Sequence, residues 1–193
     1  MQGLRSAIYL LISLFSLSGA FAQTIRIVAI GDSNFDVPGN SSFSMYPAQL
    51  ELALKSRGYD AVVVSAGLRG DTSTGVLSRL DRDVPSTTDV ALVSVGINDV
   101  VVHGGSREQA KKNVNQIMGR LKSRGIVPVW MLTGKAFQRS VAEDPNYHVE
   151  KIQQPGTTKW HLNAAGNAIV VRQTLPQVIA AIELAKKFKK KAK

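Results

Sequence analysis

The stretch Ile25–Asn34 (IRIVAIGDSN) decides the fold class of this chain. Its first six residues are apolar apart from Arg26, which is typical of a strand buried on both faces, and Gly31 ends the run. Runs of the same kind recur at 61–66 (AVVVSA), 90–95 (VALVSV) and 126–132 (IVPVWML). The four runs together predict four strands of one sheet.

Helical patterns separate the strand-like runs. Apolar residues recur at three- and four-residue spacing in the segments 46–57, 75–82, 106–124 and 164–187. Strands that are apolar throughout and alternate with helices indicate a parallel sheet covered on both faces. The predicted fold class is therefore α/β, a three-layer α/β/α sandwich with four to five parallel strands. Pro128 favours an edge position for the fourth strand, Pro176 predicts a break in the last helix, and a short fifth strand is expected near 147–152.

The first 22 residues have the composition of an export signal. Arg5 precedes the apolar run 8–17 (IYLLISLFSL), and Ala20-Phe21-Ala22 has the small residues that a signal peptidase requires. The run is short for a membrane span, so we predict cleavage before Gln23 rather than an uncleaved anchor, and a periplasmic or secreted protein without stable membrane insertion. The sequence has no cysteine, which excludes disulfides and a thiol nucleophile.

The formal net charge of +10 is concentrated at the end of the sequence. The segment 186–193 (KKFKKKAK) holds six lysines and no acid, so we divide the sequence into a signal (1–22), one domain (23–185) and a basic tail (186–193). Such a run is typical of a solvated, disordered end. The functional alternative is weak contact with anionic envelope surfaces. The domain lacks interleaved basic and aromatic residues, so nucleic-acid binding is not expected.

Glycines and polar residues follow three of the predicted strands, in the loops 31–34 (GDSN), 67–73 (GLRGDTS) and 96–99 (GIND). Ligands of parallel α/β sheets bind at the carboxyl ends of the strands, so these loops are expected to form one site. A fourth segment, 160–163 (WHLN), brings a histidine to the start of the last helix. Acyl transfer through a serine requires a hydroxyl, an imidazole base and oxyanion donors, and these segments contain all three.

The same segments resemble the sequence blocks of the GDSL, or SGNH, hydrolase superfamily of esterases and lipases. The similarity rests on GDS at 31–33, GDT at 70–72, GIND at 96–99 and HLNAAG at 161–166, in that order. It implies the flavodoxin-like SGNH fold and no cofactor or metal. The second block is especially close to bacterial periplasmic members, which cleave thioesters, lysophospholipids and aryl esters.

The resemblance also implies a role for each candidate residue. Ser33 would be the nucleophile and His161 the general base. The backbone N–H groups of Ser33 and Gly70 and the side-chain amide of Asn98 would form the oxyanion hole. Asp32 would brace the turn around the serine rather than take part in the chemistry.

One position departs from the family pattern. The family places an aspartate three residues before its histidine, where this chain has Thr158. Three explanations stay open. In the one we favour, the Thr158 hydroxyl or a backbone carbonyl orients His161 in a Ser–His dyad. Otherwise an acid approaches from the preceding loop, which contains Glu143, Asp144 and Glu150, or the site is inactive.

The resemblance therefore implies an exported serine esterase for small carboxylic esters, with short-chain acyl, acetyl-sugar or lysophospholipid substrates. The alternatives are a non-catalytic binding module with the same fold and a sugar O-acyltransferase. Four other residues receive structural interpretations. Asp71 and Asp99 are expected to hold loops, Trp130 to lie in the core and His103 to lie at the surface.

Overall fold

A parallel sheet with the strand order β2-β1-β3-β4-β5 forms the centre of the fold in the computed structural model, which describes residues 23–36, 42–131, 148–149, 157–158, 161–162 and 164–191. The strands are β1 (Ile25–Gly31), β2 (Ala61–Gly67), β3 (Val90–Ser94), β4 (Val127–Met131) and β5 (His148–Val149). The prediction of four core strands with a short fifth strand near 147–152 is confirmed. The predicted export signal, 1–22, lies outside the described residues.

The four predicted helices are present as α1 (Tyr46–Lys55), α2 (Ser73–Asp83), α4 (Arg107–Ser123) and α5 (Ala164–Lys191). The sequence pattern did not predict a 3-10 helix at Ser42–Ser44 or the short helix α3 (Ile97–Val101). Helices α1 and α5 cover one face of the sheet, and α2 and α4 cover the other. Ahead of α5, an antiparallel ribbon pairs β6 (Thr157–Thr158) with β7 (His161–Leu162).

Alternating side chains of β1, an interior strand, reach a core on each face of the sheet. In β1, Ile27 and Ala29 belong to the cluster under α1 and α5, whereas Val28 and Ile30 belong to the cluster under α2 and α4. Successive residues of a strand point to opposite faces, so a strand covered on both faces is apolar at every position. Full burial of a large apolar side chain contributes about 1.5–3 kcal/mol, so the side chains of β1 stabilise the packing on both faces of the sheet.

The edge position predicted for the fourth strand from Pro128 is wrong, because β5 pairs with β4 on its outer side. Pro128 pairs with Ala91 of β3 on one side. On the other side β5 pairs only with Trp130 and Met131, so no strand of the described residues lies opposite the proline. A proline cannot donate to a strand ladder, which makes this position suitable for it. Trp130 is buried, as predicted.

The last helix differs from its prediction in two respects. Pro176 does not break α5, which is continuous from Ala164 to Lys191. A proline removes one helical hydrogen bond, and the burial of Leu175 and Val178 against the sheet on either side of it offsets that loss. For residues 186–191 the expectation of disorder is also wrong, because they continue the helix, and residues 192–193 lie outside the described part of the chain.

Contacts at the end of α5 account for the helical form of the basic segment. The ammonium group of Lys186 lies 2.9 Å from a carboxylate oxygen of Glu183 and 4.9 Å from the centroid of the Tyr59 ring. Lys189 forms an ion pair with the buried Asp89. Lysines also stabilise the negative C-terminal end of a helix dipole.

Helix α5 is the one described helix that is long and apolar enough to span a membrane. Its apolar face belongs to the core between the sheet and helices α1 and α5.

Candidate active site

A tight turn carries Ser33 beyond the carboxyl end of β1. Oδ1 of Asp32 accepts hydrogen bonds from the backbone N–H of Asn34 at 2.9 Å and from its side-chain amide at 2.6 Å. The backbone N–H of Phe35 donates to the Asp32 carbonyl at 3.2 Å. Ser33 is half-buried on this turn. The prediction that Asp32 braces the turn is confirmed.

Contacts on both sides fix this turn to the sheet. A β-carbon at Gly31 would lie 1.9 Å from the carbonyl oxygen of Ser94, so only glycine allows β1 and β3 to approach this closely. On the other side, the buried Phe35 ring lies 5.8 Å from the ring of Tyr46 in α1. The Tyr46 hydroxyl in turn shares a 2.7 Å hydrogen bond with Thr174 of α5. The serine turn is therefore supported by β3, α1 and α5.

Gly70 lies in the loop after β2 and has a left-handed backbone conformation, with φ of +74°. This conformation explains the glycine, because side chains disfavour it. Apart from its chain neighbours, no described residue has an atom within 4 Å of the position that a β-carbon would take. Within the described part of the chain, no group accepts a hydrogen bond from the Gly70 N–H. The loop thus leaves one backbone N–H without an acceptor among the described residues.

Asp71 holds this loop in place. Its Oδ1 accepts from the Thr72 N–H at 2.9 Å, and its Oδ2 accepts from Nε of Arg79 at 2.8 Å. Its backbone carbonyl accepts from the Asn98 side-chain amide at 2.9 Å. A β-carbon at Gly75 would lie 1.8 Å from Asp71 Oδ1, so the glycine in α2 leaves room for the carboxylate. The loop-holding role predicted for Asp71 is confirmed.

Asn98 joins the loop after β3 to the Gly70 loop. The residue lies in α3 and is 9% exposed. An amide group has two N–H donors, and the bond to Asp71 uses one of them. The next residue, Asp99, accepts from the Ser73 N–H at 2.8 Å and from the Ser73 hydroxyl at 2.5 Å. These bonds bring Gly70 and Asn98 to the same edge of the sheet and confirm the loop-holding role predicted for Asp99.

The candidate base lies at the β6–β7 ribbon, where Thr158 and His161 are directly opposed in the antiparallel register. The ribbon leads into α5, whose first turn is fixed to the start of α1. Gln49 donates to the Ala164 carbonyl at 3.1 Å, and the Asn167 amide donates to the Ser44 carbonyl at 3.0 Å. Helix α1 starts at the edge of the sheet where β1 ends, so the ribbon and the Ser33 turn share that edge.

Other predictions on the site have separate outcomes. His103 is exposed, as predicted. The three acids of the preceding loop that were candidates for orienting the histidine, Glu143, Asp144 and Glu150, lie outside the described residues.

Burial affects the charge of the Asp32 carboxyl group in the Ser33 turn. Asp32 is 1% exposed, and this burial raises its pKa from 3.8 to about 6, with a smaller contribution in the same direction from the charge of Asp71. The hydrogen bonds from Asn34 act in the opposite direction. Among the described residues, no group donates to Oδ2 of Asp32. The ionised form is thus held at a free-energy cost at neutral pH.

Two polar residues that hold the loops were missed in the sequence. Arg79 of α2 is buried among the strand ends, and Asn113 of α4 donates to the hydroxyls of Ser73 at 3.0 Å and Thr74 at 2.9 Å. A signal was present in the helical spacing. Arg79 lies three residues after the buried Val76, and Asn113 lies three residues after a buried alanine, so both occupy the apolar face of their helix.

The α/β fold, with the Ser33 turn and the Gly70 and Asn98 loops at the carboxyl edge of a parallel sheet, is that of the SGNH hydrolases. Residues 29–155 match the model of the GDSL-like Lipase/Acylhydrolase family. The chain belongs to this family.

Two curated relatives are an arylesterase of Vibrio mimicus, 28% identical over 125 residues, and the esterase TesA of Pseudomonas aeruginosa, 29% identical over 129 residues. The alignments cover 63% and 66% of this chain. They cover 60% and 59% of the relatives, so the chain spans about three fifths of the length of these proteins.

Solved structures confirm the SGNH fold. The SGNH-hydrolase family esterase AlinE4 is 33% identical, with a TM-score of 0.55 over 61% of this chain and 67% of its own. The crystal structure of TesA has a TM-score of 0.69 at 20% identity and covers 81% of this chain and 99% of its own. A family 3 carbohydrate esterase of Clostridium thermocellum has a TM-score of 0.67 at 17% identity, over 84% of this chain and 100% of its own. The last two similarities concern the fold alone.

Proposed function

We propose that this chain is an exported serine esterase in which Ser33 attacks the ester carbonyl and His161 acts as the general base. The observation that carries the proposal is the joined set of loops at the carboxyl edge, with the Ser33 turn, the Gly70 N–H and the Asn98 amide held together through Asp71. The names of the two curated relatives, an arylesterase and an esterase, support ester hydrolysis as the reaction.

In the proposed reaction, Ser33 Oγ attacks the carbonyl carbon while His161 removes the hydroxyl proton. The negative oxygen of the tetrahedral intermediate accepts hydrogen bonds from the N–H groups of Ser33 and Gly70 and from the Asn98 amide. His161 then gives its proton to the leaving alcohol, and water hydrolyses the acyl-enzyme by the reverse sequence. One such oxyanion donor is worth about 3–4 kcal/mol in the transition state.

Thr158 takes the place of the family's usual acid in this proposal. Directly opposed residues of an antiparallel pair are the ones that interact across it, and Thr158 stands opposite His161. An acceptor on one ring nitrogen fixes the tautomer in which the other nitrogen accepts the serine proton. Thr158→Asp is expected to raise kcat because it restores a charged acceptor, and Thr158→Val to lower it. A Thr158→Val variant with the kcat of the wild type would remove the hydroxyl from the mechanism.

The experiment that tests the esterase proposal is labelling of the folded protein with a fluorophosphonate probe, which reports an activated serine without requiring the natural substrate. Ser33→Ala and His161→Ala are expected to abolish labelling. Two matched substitutions, Ser78→Ala on the exposed side of α2 and His103→Ala at the surface, are expected to leave it unchanged. A folded wild type that does not label would overturn the proposal and favour the binding module.

Substrate class and reaction type need a second measurement. We propose small carboxylic esters as substrates, with short acyl chains, acetylated sugars or lysophospholipids as the classes to compare. Release of the free acid from each ester is measured with and without a sugar acceptor. A new sugar ester in the presence of the acceptor, at the expense of free acid, would identify an acyltransferase instead.

The export proposal rests on the composition of the first 22 residues. The mass of the protein recovered from the periplasmic fraction or the medium is expected to correspond to a chain that starts at Gln23. Recovery of the full-length chain from the cytoplasm alone would contradict it.

A further inference from the structure

The guanidinium of Arg79 lies among the loops that carry the proposed catalytic groups, and its side chain is 6% exposed. Nε donates to Asp71 Oδ2 at 2.8 Å, and Nη2 donates to the Gly31 carbonyl at 2.9 Å. Nη1 donates to the Ala66 carbonyl at 2.9 Å and to Asp83 Oδ2 at 2.6 Å. Four of the five N–H donors of this side chain are thus occupied by fixed partners.

Two of these partners mark the points where neighbouring strands end. Gly31 is the last residue of β1, two positions before Ser33. Ala66 is the penultimate residue of β2, and its register partner in β1 is Ile30. Arg79 therefore holds the exits of β1 and β2 at a fixed separation, and these exits lead to the Ser33 turn and the Gly70 loop.

The third partner, Asp71, connects Arg79 to the Gly70 N–H and the Asn98 amide, the two donors of the proposed oxyanion hole outside the Ser33 turn. Asp71 follows Gly70 directly, so its carboxylate fixes the position of that N–H. The Asp71 carbonyl accepts from the Asn98 amide and so fixes the second donor. Arg79 thus bonds to residues next to each proposed oxyanion donor. Gly31 lies two residues before Ser33, and Asp71 directly follows Gly70 and accepts from Asn98.

We propose that Arg79 is a positioning residue that sets the geometry of the Ser33 turn relative to the oxyanion donors. This inference rests on the proposed function. Arg79 is assigned no catalytic role, because four of its five N–H donors are bonded to fixed protein groups. Lysine is a poor substitute, since one ammonium group cannot match the planar fork that reaches two carbonyls and two carboxylates together.

The test compares kcat and KM of Arg79→Met and Arg79→Lys with those of Arg82→Met. Arg82 is a matched control, since it also pairs with Asp83, at 2.6 Å, but is 73% exposed and bonds to no strand end. Displacement of reacting groups by about 1 Å can reduce a rate about 10²-fold, so we expect such a fall in kcat and in the labelling rate for both Arg79 variants. KM is expected to change far less, and Arg82→Met to retain the wild-type rate.

Rescue separates positioning from a general loss of folding. Guanidinium ion, at concentrations well below those that unfold proteins, is expected to restore part of the labelling rate of Arg79→Ala. A merely structural role would reduce the fraction of protein that labels and leave the rate of the folded fraction unchanged. Wild-type kcat and labelling rate in folded Arg79→Lys and Arg79→Met would overturn the inference.

Amide hydrogen exchange of the segments 31–35 and 67–72 tests the same inference without any activity. Faster exchange in these two segments in Arg79→Lys, with unchanged exchange in Arg82→Met, is expected. Unchanged exchange in Arg79→Lys would overturn the positioning role. A wild type that neither labels nor hydrolyses esters would overturn the proposed function instead, and the exchange result would then decide on Arg79 alone.

Discussion

The two ends of the sheet differ in how far their basic residues are buried. At the carboxyl end, Asp32 and Arg79 are buried, and their partners include backbone groups at the strand ends and the carboxylates of Asp71 and Asp83. At the amino end, the basic groups of α5 lie largely in solvent, and the side chain of Lys186 is 47% exposed. Buried charges are weakly screened and strongly dependent on their partners, whereas exposed pairs contribute little. The same residue types should therefore matter far more at the carboxyl end.

The largest effect is expected from Arg79→Met, which leaves the carboxylates of Asp71 and Asp83 without their buried cation. Removal of one partner from a buried pair costs about 3–5 kcal/mol, so the free energy of unfolding should fall by that amount. Arg82→Met should have a much smaller effect because its side chain is 73% exposed. Urea unfolding of both variants measures the difference, and equal losses would remove the distinction between buried and exposed arginines.

A second comparison concerns two glycines. Gly31→Ala puts a methyl group 1.9 Å from the Ser94 carbonyl and should reduce the free energy of unfolding by about 3 kcal/mol, as overpacking against fixed backbone does. Gly58, which precedes β2 at the amino end, has φ of +80° and no atom within 4 Å of the added carbon. Gly58→Ala should cost about 1–2 kcal/mol for the left-handed backbone alone. Thermal unfolding measures both losses. A loss for Gly31→Ala no larger than that for Gly58→Ala would show that β1 and β3 can move apart.

The third prediction concerns pH. The fold raises the pKa of Asp32 from 3.8 to about 6, so the native state binds this proton more tightly than the unfolded chain. The resulting stabilisation is fully present below pH 3.8 and is lost as the pH rises through about 6, with a magnitude of up to about 3 kcal/mol. Asp32→Asn should remove this fall in the free energy of unfolding between pH 4 and 7, as measured by urea unfolding. An unchanged pH dependence in the variant would show that another group causes it.

Asp83 serves as the control with the opposite sign. Its hydrogen bond from Arg82 lowers its pKa from 3.8 to about 2, with a further contribution from Arg79. The stabilisation from this carboxylate is present above pH 3.8 and is lost as the pH falls through about 2. Asp83→Asn should therefore change the pH dependence of the free energy of unfolding only below about pH 4, outside the pH range in which Asp32 titrates.

The smallest effect is expected at the amino end. Lys186→Met removes an exposed ion pair with Glu183 and a contact with the Tyr59 ring. Such exposed interactions contribute about 0.5–1 kcal/mol, and the ion-pair part weakens with salt. The free energy of unfolding, measured at low and at high salt, separates the contribution of the ion pair from that of the ring contact. A loss as large as that of Arg79→Met would show that the amino end is no less dependent on its charges.

The sequence predicted the sheet and its four main helices because both rest on local periodicity. Apolar runs such as that in β1 show that a strand is covered on both faces, whatever covers it. The loops of Ser33, Gly70 and Asn98 could be grouped because parallel strands end at one edge. The lysines at the end of α5 were misjudged, since the ion pair of Lys189 with Asp89 joins residues far apart in the sequence.

Arg79 shows most clearly where sequence reasoning ends. Its spacing from Val76 places it on the apolar face of α2, which marks it as unusual. Its partners Gly31, Ala66 and Asp71 lie 48, 13 and 8 residues away. No periodicity relates such positions, so the partners of a buried charge depend on how the helix packs on the sheet.

The sequence by itself determined the alternation of strands and helices, the family blocks and the residue types at the carboxyl edge of the sheet. Only the tertiary structure decided that Gly31 lies against Ser94, that Asp71 joins Arg79 to Asn98, and that α5 stays helical through Pro176. The physical reason is the range of the interactions. Hydrophobic spacing and turn residues act between near neighbours in the chain, whereas close backbone approach and buried hydrogen bonds exist only after distant elements have packed together.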